Sequence, residues 1–381
     1  MTTQATPFEA TASQYAISNT AEIFSPGLVI FRDLLEHNLE WMVRIAGGPE
    51  FLRPHAKTHK IREIVRMWLA RGVTSHKCAT IAEAEMLALE KATDIMIAYQ
   101  MVGPNISRLI QLIEKFPEAQ FSTLIDHPVA AEMLGQAAAT CGLVVDVWLD
   151  LNPGMNRTGV HPDQKGSDLY ELISTTAGLR AAGLHWYDGH HRQSDVDERR
   201  AQVLLGWEQL IKFRDGLLLD GFLVPRIVAA GTGSFPILAQ TGEPTLELSP
   251  GTTVFFDADV AERFPEMPFV PALGILTRVV SLHGENRLTL DVGHKSCAAD
   301  QPAGKRLWFP DIPDAVELQH TEEHLVIESS MAAGFTLGSA LIAIPRHVCP
   351  AVAVHQAAHV VSKNHVVDTW QIAARDRKLT V

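Results

Sequence analysis

The sequence contains few cysteines and no excess of basic residues. Only 4 of its 381 residues are cysteine, and they lie far apart, at positions 78, 141, 297 and 349. This is not the dense spacing of a disulfide-stabilised secreted fold. The formal net charge is −12 at pH 7. The composition therefore argues against a disulfide framework, and against nucleic acid or an anionic membrane as a partner.

The sequence also lacks long apolar segments and the N-terminal pattern of a secretory signal peptide. No apolar run approaches the roughly 20 residues that a membrane-spanning helix needs. Residues 1–24 are polar and rich in threonine and alanine, without the charged and apolar regions of a signal peptide. We expect these residues to form a flexible N-terminal segment, and we expect a cytoplasmic protein. The apolar share of 46% and charged share of 20% are typical of a soluble globular protein.

The first two thirds of the chain alternate strand patterns with amphipathic helix patterns. Several of the strands are nearly continuous apolar runs, as expected when both faces of a strand are buried. Eight strand–helix units within roughly 210 residues favour a (β/α)8 TIM-like barrel over an open sheet. The predicted strands are Phe51–Lys57, Val73–Cys78, Asp94–Gln100, Gln120–Asp126, Val144–Leu151, Leu179–Tyr187, Arg226–Ala230 and Thr252–Asp257.

The pattern changes from Pro268 onward. Short strand patterns, among them Ala351–His355, alternate with turn signals, which predicts a second, all-β domain. We expect a barrel over residues 25–265 and the β domain over residues 266–381. A strand near residue 30 precedes the barrel, and residues 25–33 can join either domain.

The segment Arg53–Lys60, with the sequence RPHAKTHK, holds the densest group of titratable side chains. Lys57 ends the first predicted barrel strand, where α/β proteins keep their chemistry. A partly desolvated lysine among other cations has a lowered pKa, and its amine can then attack a carbonyl. The alternative interpretation is a solvated, basic helix start.

Two further motifs carry candidate chemistry. The loop Gly231–Ser234 (GTGS) has the glycines and hydroxyls of a phosphate cradle, and it follows the seventh strand, where barrels commonly bind phosphate. A plain turn is the alternative. In an extended chain, His347 and Cys349 would point to the same side and could ligate one ion, for which an imidazole and a thiolate favour zinc. The alternative is a purely structural pair.

Taken together, these features resemble a known family. A lysine after the first strand, a phosphate loop after the seventh and a trailing β domain resemble the fold type III, alanine racemase-like enzymes that use pyridoxal 5′-phosphate (PLP). Within them, the segment 53–60, Gly233 and the sequence His347–Pro350 are similar to the D-threonine aldolase and D-serine dehydratase branch. The closing sequence Asp368–Arg375 resembles the end of D-threonine aldolases.

The resemblance implies roles for individual residues. Lys57 would carry PLP as a Schiff base, with Arg157 and Tyr187 beside the cofactor. A divalent metal, zinc, manganese or magnesium, would be held by His347 and Cys349, and His59 is the candidate base. By the same analogy the enzyme is a homodimer. The phosphate of PLP would be held by Gly231, Thr232, Gly233 and Ser234.

The implied activity is a lyase reaction on small β-hydroxy-D-amino acids. The closing sequence favours a D-threonine aldolase-like cleavage to glycine and an aldehyde. The H-x-C pair is instead typical of the dehydratases, where aldolases usually have H-x-D, and residues 321–325 (TEEHL) depart from the family's Asp-Glu-His-Gly. Dehydration of D-serine or 3-hydroxy-D-aspartate to a 2-oxo acid and ammonia is therefore the alternative. An amino-acid racemase, a non-catalytic PLP carrier and a PLP-free metal hydrolase also stay open.

Overall fold

The computed structural model describes residues 12–381. Their contacts group into two compact units. The barrel unit comprises Val43–Lys57, Arg62–Gly251 and Asp376–Val381. The β-rich unit comprises residues 12–42, Thr58–Ile61 and Thr252–Arg375.

Of the expected flexible segment 1–24, residues 1–11 lie outside the described part of the chain. Two 3₁₀-helices follow, Ala12–Tyr15 and Thr20–Glu22. Among residues 12–381, no helix combines the length and the apolar character needed to cross a membrane.

The regular elements are numbered in chain order. The strands are β1 (Gly27–Phe31), β2 (Ser75–Cys78), β3 (Asp94–Gln100), β4 (Gln120–Ile125), β5 (Val145–Leu151), β6 (Leu179–Trp186), β7 (Ile227–Ala229), β8 (Leu246–Leu248), β9 (Leu273–His283), β10 (Arg287–Leu290), β11 (Leu307–Trp308), β12 (Val316–His320), β13 (Leu325–Glu328), β14 (Ala340–Pro345), β15 (Ala357–Ser362) and β16 (His365–Gln371). The helices are α1 (Arg32–Ala46), α2 (Arg62–Leu69), α3 (Ile81–Leu89), α4 (Pro104–Lys115), α5 (Pro128–Thr140), α6 (Gln164–Thr175), α7 (Val196–Leu219), α8 (Phe235–Leu238), α9 (Ala258–Arg263), α10 (His294–Cys297) and α11 (Val348–Val354).

The barrel unit is built on a seven-stranded parallel sheet in the order β2-β3-β4-β5-β6-β7-β8. Helices connect successive strands, as parallel pairing requires. Strands β5 and β7 are buried over their whole length, and so on both faces, which explains their largely apolar sequences. A cluster of apolar side chains forms part of the unit's core: Met96, Leu124, Trp148, Ala182 and Val228. The TIM-like barrel that the alternation predicts is confirmed.

The prediction of a regular first strand at Phe51–Lys57 is wrong. In this segment only Leu52 and His55 form bridges, to Leu248 in β8 and to Lys77 in β2 respectively. Pro54 has no N–H to donate to a ladder, although its carbonyl accepts a hydrogen bond from the N–H of Lys77 at 3.1 Å. The segment therefore joins the two end strands of the sheet through single bridges.

The last barrel strand also differs from the prediction. The apolar run Thr252–Asp257 begins as a 3₁₀-helix, Thr252–Val254. The strand is Leu246–Leu248 instead, with Glu247 at its centre. A carboxylate inside a three-residue buried strand breaks the apolar pattern, which is why the sequence did not reveal it.

Glu247 belongs to a buried ion cluster in the barrel unit. The Arg53 guanidinium donates to Glu247 and, through two hydrogen bonds of 2.8 Å, to Asp94. Arg226 pairs with the same two carboxylates at 2.6 and 3.2 Å. Burial alone would raise the pKa of Asp94, but the hydrogen bonds and charges of Arg53 and Arg226 lower it to about 2. Each charge in the cluster therefore has an opposite partner, as a buried ion requires.

We expect an Arg53→Ala variant to be strongly destabilised. Removing one partner of a buried ion pair typically costs about 3–5 kcal/mol, because the remaining charge is left uncompensated. Arg287→Ala is the control, since this exposed guanidinium pairs with an exposed carboxylate, that of Glu328 in the β-rich unit, and its loss should cost less than about 1 kcal/mol. Urea unfolding would compare the two midpoints, and equal midpoints would contradict the expectation.

The β-rich unit is organised around a nine-stranded sheet. Its main path runs β12-β13-β10-β9-β1-β15-β16, and β14 pairs with β9 and β11. Strand β1 pairs with β9 antiparallel and with β15 in parallel, so the strand near residue 30 lies in this sheet. The prediction of a second, all-β domain is thus confirmed as a separate unit that is mostly β, with helices α1, α9, α10 and α11 beside the sheet strands. Its core includes Tyr15, Ile23, Val29, Phe31, Leu276, Ile342, Ile344 and Val361.

The prediction of a strand at Ala351–His355 is wrong, because residues 348–354 form helix α11. The valines favour a strand by local preference, but Val348, Ala351 and Val352 are buried at helical spacing. Pro350 is tolerated because it lies in the first turn. The Val348 N–H, which has no acceptor within the helix, donates to the Asp257 carboxylate at 3.2 Å.

Candidate active site

The barrel unit contains a cavity of about 400 Å³ among side chains from several strand ends. It brings together Lys57, Arg157 and Tyr187, three residues that the sequence assigned to one site. The ring of Tyr187 lies between cations: its centroid is 5.6 Å from the Lys57 Nζ and 4.8 Å from the Arg157 Cζ. Such contacts fix the aromatic ring relative to both basic groups.

The loop after β5 positions Arg157. The Asn152 side-chain oxygen accepts hydrogen bonds from the N–H groups of Gly154 and Asn156, both at 3.0 Å. Its amide nitrogen donates to the Asn156 side chain at 2.9 Å. Asn156 adopts a left-handed φ of 55°, which asparagine tolerates better than most residues. This asparagine pair thus shapes the turn that leads into Arg157.

A chain of buried polar groups lies at the same cavity. The Lys77 Nζ is 2.7 Å from the His185 Nε2 and 3.1 Å from the Ser249 hydroxyl. The other ring nitrogen of His185 is 2.6 Å from the Asp150 carboxylate. Burial lowers the pKa of Lys77 to about 7 and that of His185 to about 4, with neighbouring cations contributing to both shifts.

The predicted phosphate loop, Gly231–Ser234, is ordered by Asp188. The Asp188 carboxylate accepts hydrogen bonds from the Gly231 N–H at 2.9 Å and from the Ser234 hydroxyl at 2.6 Å. Ala230, just before the loop, has a φ of 81°, which is unusual for a residue with a side chain. Among residues 12–381, the N–H groups of 232, 233 and 234 have no hydrogen-bond acceptor.

These features fit PLP. The cavity volume lies within the ordinary range for a small-molecule site, and Lys57 lines it with its amine. Arg157 and Tyr187 supply a charged group and a ring. The N–H groups of residues 232–234 are the kind of donors that bind a phosphate. The Gly231 N–H and the Ser234 hydroxyl, in contrast, are already engaged with Asp188.

His59 lies in the β-rich unit and is buried. Its Nδ1 accepts a hydrogen bond from the Ile61 N–H at 3.0 Å. A neutral imidazole with an acceptor Nδ1 carries its proton on Nε2. In this tautomer the ring offers no lone pair at Nε2, so a role as base would require the Ile61 hydrogen bond to break.

The predicted metal pair lies at the start of α11 in the β-rich unit. The sequence predicts an extended segment here, but His347 directly precedes α11 and Cys349 lies within it. Their side chains are nevertheless hydrogen-bonded to each other. Burial lowers the pKa of His347, but the interactions with Cys349, Asp300 and Asp257 outweigh it and raise the value to about 9. The Cys349 Sγ is also 3.3 Å from the Thr58 hydroxyl.

The donor set at this pair is compatible with a metal ion. The His347 Nδ1 is bonded to the Asp300 carboxylate, an arrangement that commonly orients a metal-binding imidazole. Its Nε2 and the Cys349 thiol would be the two ligands. Within residues 12–381, no group of three or more His, Cys, Asp or Glu side chains is arranged to hold a metal. A metal here would need further ligands from outside residues 12–381.

Sequence reasoning missed the role of Lys77. It also gave no reason to connect this lysine with Asp150 and His185, which lie on other strands. The signal was a lysine inside the short strand β2, where three of four residues are buried. A lysine is almost never fully buried without partners, so its presence in a largely buried strand indicates a polar network within the barrel unit.

Comparisons with known proteins identify families and relatives that this chain resembles. Residues 30–258 match the family "Alanine racemase, N-terminal domain", and residues 272–361 match a serine dehydratase domain. The chain is 30% identical to a D-threonine aldolase of Arthrobacter sp over 366 residues, 93% of each protein. It is 23% identical to a D-threo-3-hydroxyaspartate dehydratase of Delftia sp. (strain HT23) over 372 residues, 91% of this chain and 96% of that protein.

A solved structure shows the same architecture. The crystal structure of D-threonine aldolase from Filomicrobium marinum has a TM-score of 0.87 to this chain at 28% sequence identity. The match covers 93% of this chain and 96% of that one. The chain therefore belongs to the alanine racemase-like, fold type III family of PLP enzymes, in the branch that contains D-threonine aldolases and D-serine dehydratases.

Proposed function

We propose that the protein is a PLP-dependent, divalent-metal-assisted lyase that cleaves β-hydroxy-D-amino acids, D-threonine foremost, to glycine and an aldehyde. The observation that carries the proposal is the cavity that joins Lys57, Arg157 and Tyr187. It occurs in a chain that is similar over nearly its whole length to a D-threonine aldolase.

The residues that line the cavity and those of the loop 231–234 would have distinct tasks in this reaction. Lys57 would hold the cofactor covalently, and residues 232–234 would hold its phosphate through backbone N–H groups. Arg157 and Tyr187 would fix the ring. Bound PLP would supply the electron sink that weakens the bonds at the substrate's α-carbon, while the protein selects which bond breaks.

The metal pair would act on the substrate's β-hydroxyl. A metal held by His347 and Cys349 would lower the pKa of that hydroxyl. Since His347 has a raised pKa, metal binding must displace its proton, and metal affinity should fall in acid. The expected homodimer and cytoplasmic location stay predictions.

Dehydration is the second candidate, and a specific observation favours it. Cys349 stands where aldolases of this branch usually have an aspartate, and the chain is also similar to a 3-hydroxyaspartate dehydratase. A dehydratase would give a 2-oxo acid and ammonia from the same substrates. The two reactions share the cofactor, the metal and the substrate class, so product analysis separates them.

We expect D-threonine to yield glycine and acetaldehyde, with D-serine a poorer substrate. The purified protein, loaded with PLP and Mn²⁺ or Zn²⁺, would be incubated with each compound, and amino acids and 2-oxo acids quantified by chromatography. L-Threonine is the control and should stay intact. A 2-oxo acid as the main product would establish the dehydratase, and L-allo-threonine formed from D-threonine without cleavage would establish a racemase, because racemisation inverts Cα and leaves Cβ unchanged.

A further inference from the structure

Lys77 is a second lysine at the cavity, and no step above uses it. It extends from β2, is only 2% exposed and lines the same space as Lys57. Its Nζ is also 5.6 Å from the centroid of the Tyr187 ring. A buried lysine of this kind is unusual enough to need a physical explanation.

The hydrogen bonds around the Lys77 amine can be assigned a direction. The Asp150 carboxylate only accepts, so the His185 Nδ1 carries the ring proton and the Nε2 is an acceptor. Lys77 therefore donates to His185. The Ser249 hydroxyl donates to the Ala230 carbonyl at 3.4 Å, which leaves its oxygen to accept from Lys77. Both contacts persist when the amine is neutral.

Two N–H groups of the Lys77 amine are therefore used in these hydrogen bonds, and one further site on the nitrogen remains for a proton or a lone pair. In the charged form this position is an N–H, and in the neutral form it is a lone pair. The surroundings allow both forms near neutral pH, because burial lowers the pKa of Lys77 to about 7. The cations Lys57, Arg157 and Arg53 act in the same direction, and Asp150 opposes them. His185, which accepts a hydrogen bond from the amine, is neutral above about pH 4. His55 and Tyr187 are further titratable residues beside Lys77.

Both candidate reactions move one proton between the same two substrate atoms. In the aldol cleavage, the hydroxyl loses its proton, the Cα–Cβ bond breaks, and its electron pair forms the new Cα–H bond. In the dehydration, Cα loses its proton, the Cβ–O bond breaks, and the oxygen leaves as water. One amine that accepts this proton and then donates it would balance either reaction without net change.

We propose that Lys77 is the group that carries this proton, and that His185 and Asp150 are positioning residues that hold its amine in the cavity. The inference rests on the proposed lyase function. It gives the two pocket lysines separate tasks: Lys57 holds the cofactor, and Lys77 exchanges the proton. A purely structural lysine would fill the same space but would leave the pH dependence unchanged.

The test compares Lys77→Ala and Lys77→Met holoenzymes with wild type. We expect kcat to fall about 10²–10⁴-fold, with KM changed only a few-fold and the PLP absorbance retained. The change of kcat with pH near neutrality, which we attribute to Lys77, should disappear in both variants. Methylamine should restore activity to Lys77→Ala in proportion to its free-base concentration, but not to Lys77→Met, where the space is filled. Lys165→Met, an exposed lysine of the barrel unit, is the matched control and should behave as wild type.

A second readout does not depend on turnover. Lysine labelled with ¹⁵N at the side chain would be followed by NMR in the holoenzyme, with the Lys77 signal assigned by its loss in Lys77→Met. We expect this amine to titrate well below the ordinary lysine range. Titration together with the surface lysines would overturn the proposal, as would undiminished activity in a folded Lys77→Met. Wild-type protein without lyase activity would instead overturn the proposed function and this proposal with it.

Discussion

A Lys57→Ala variant will lose the absorbance band at about 420 nm that a lysine-bound PLP gives, and its lyase activity will fall at least about 10³-fold. Lys57 is the pocket lysine that follows the segment closing the barrel, and its Nζ lies over the Tyr187 ring. Without the amine, PLP has no covalent attachment at this position. Absorbance spectra of the purified variant, before and after addition of PLP, would measure the loss.

The control for this prediction is Lys60→Met. Lys60 lies three residues further along in the β-rich unit, and its Nζ is 3.5 Å from the Ala374 carbonyl. This variant should keep the band. A band that persists in Lys57→Ala would contradict the assignment, and borohydride reduction followed by peptide mapping would identify the lysine that carries PLP instead.

Much of the barrel could be predicted because its strands are apolar and its helices amphipathic. The errors lie at its first and last strands, where single residues interrupt the regular pattern of an apolar strand. Pro54 removes a ladder donor from the first, and Glu247 places a charge in the last. Glu247 pairs with Arg53, which lies in the first segment itself. Strand prediction failed where a buried ion cluster replaces apolar packing.

The residues of the candidate site also fall into those that the sequence predicts and those that it does not. Lys57, Arg157 and Tyr187 could be found because their motifs resemble those of a known family. Lys77 could not, since its meaning depends on His185, which follows it by 108 positions in the chain. Spacing within a sequence does not show which strand ends meet across a barrel. The partner of a buried lysine is visible only once the fold brings the two together.

The metal pair shows a different limit. The prediction that His347 and Cys349 approach each other rested on an extended chain, whereas the structure places them at the start of a helix. Local valines favoured a strand, and the carboxylate of Asp257, some 90 residues earlier, satisfies the helix start instead. The residue types predicted the chemistry of the pair, but they did not predict that its backbone is helical.

A Cys349→Ala variant should lose bound metal and at least about 100-fold in lyase activity, while keeping PLP. The thiol is one of two side chains that could ligate the ion, and alanine leaves His347 alone. Metal content by elemental analysis, the PLP band and product formation would be measured on the same sample. Cys141→Ala, an exposed cysteine in the barrel unit, is the control and should change none of the three.

Cys349→Asp extends the test, because it creates the H-x-D pair usual in aldolases of this branch. Aspartate is itself a metal ligand, so this variant should bind metal and cleave D-threonine, while any formation of 2-oxo acid from D-serine should fall relative to cleavage. Loss of both activities in Cys349→Asp, with metal still bound, would mean that the thiol acts other than as a ligand. Full activity of the wild-type enzyme after exhaustive chelation would show that the pair is structural.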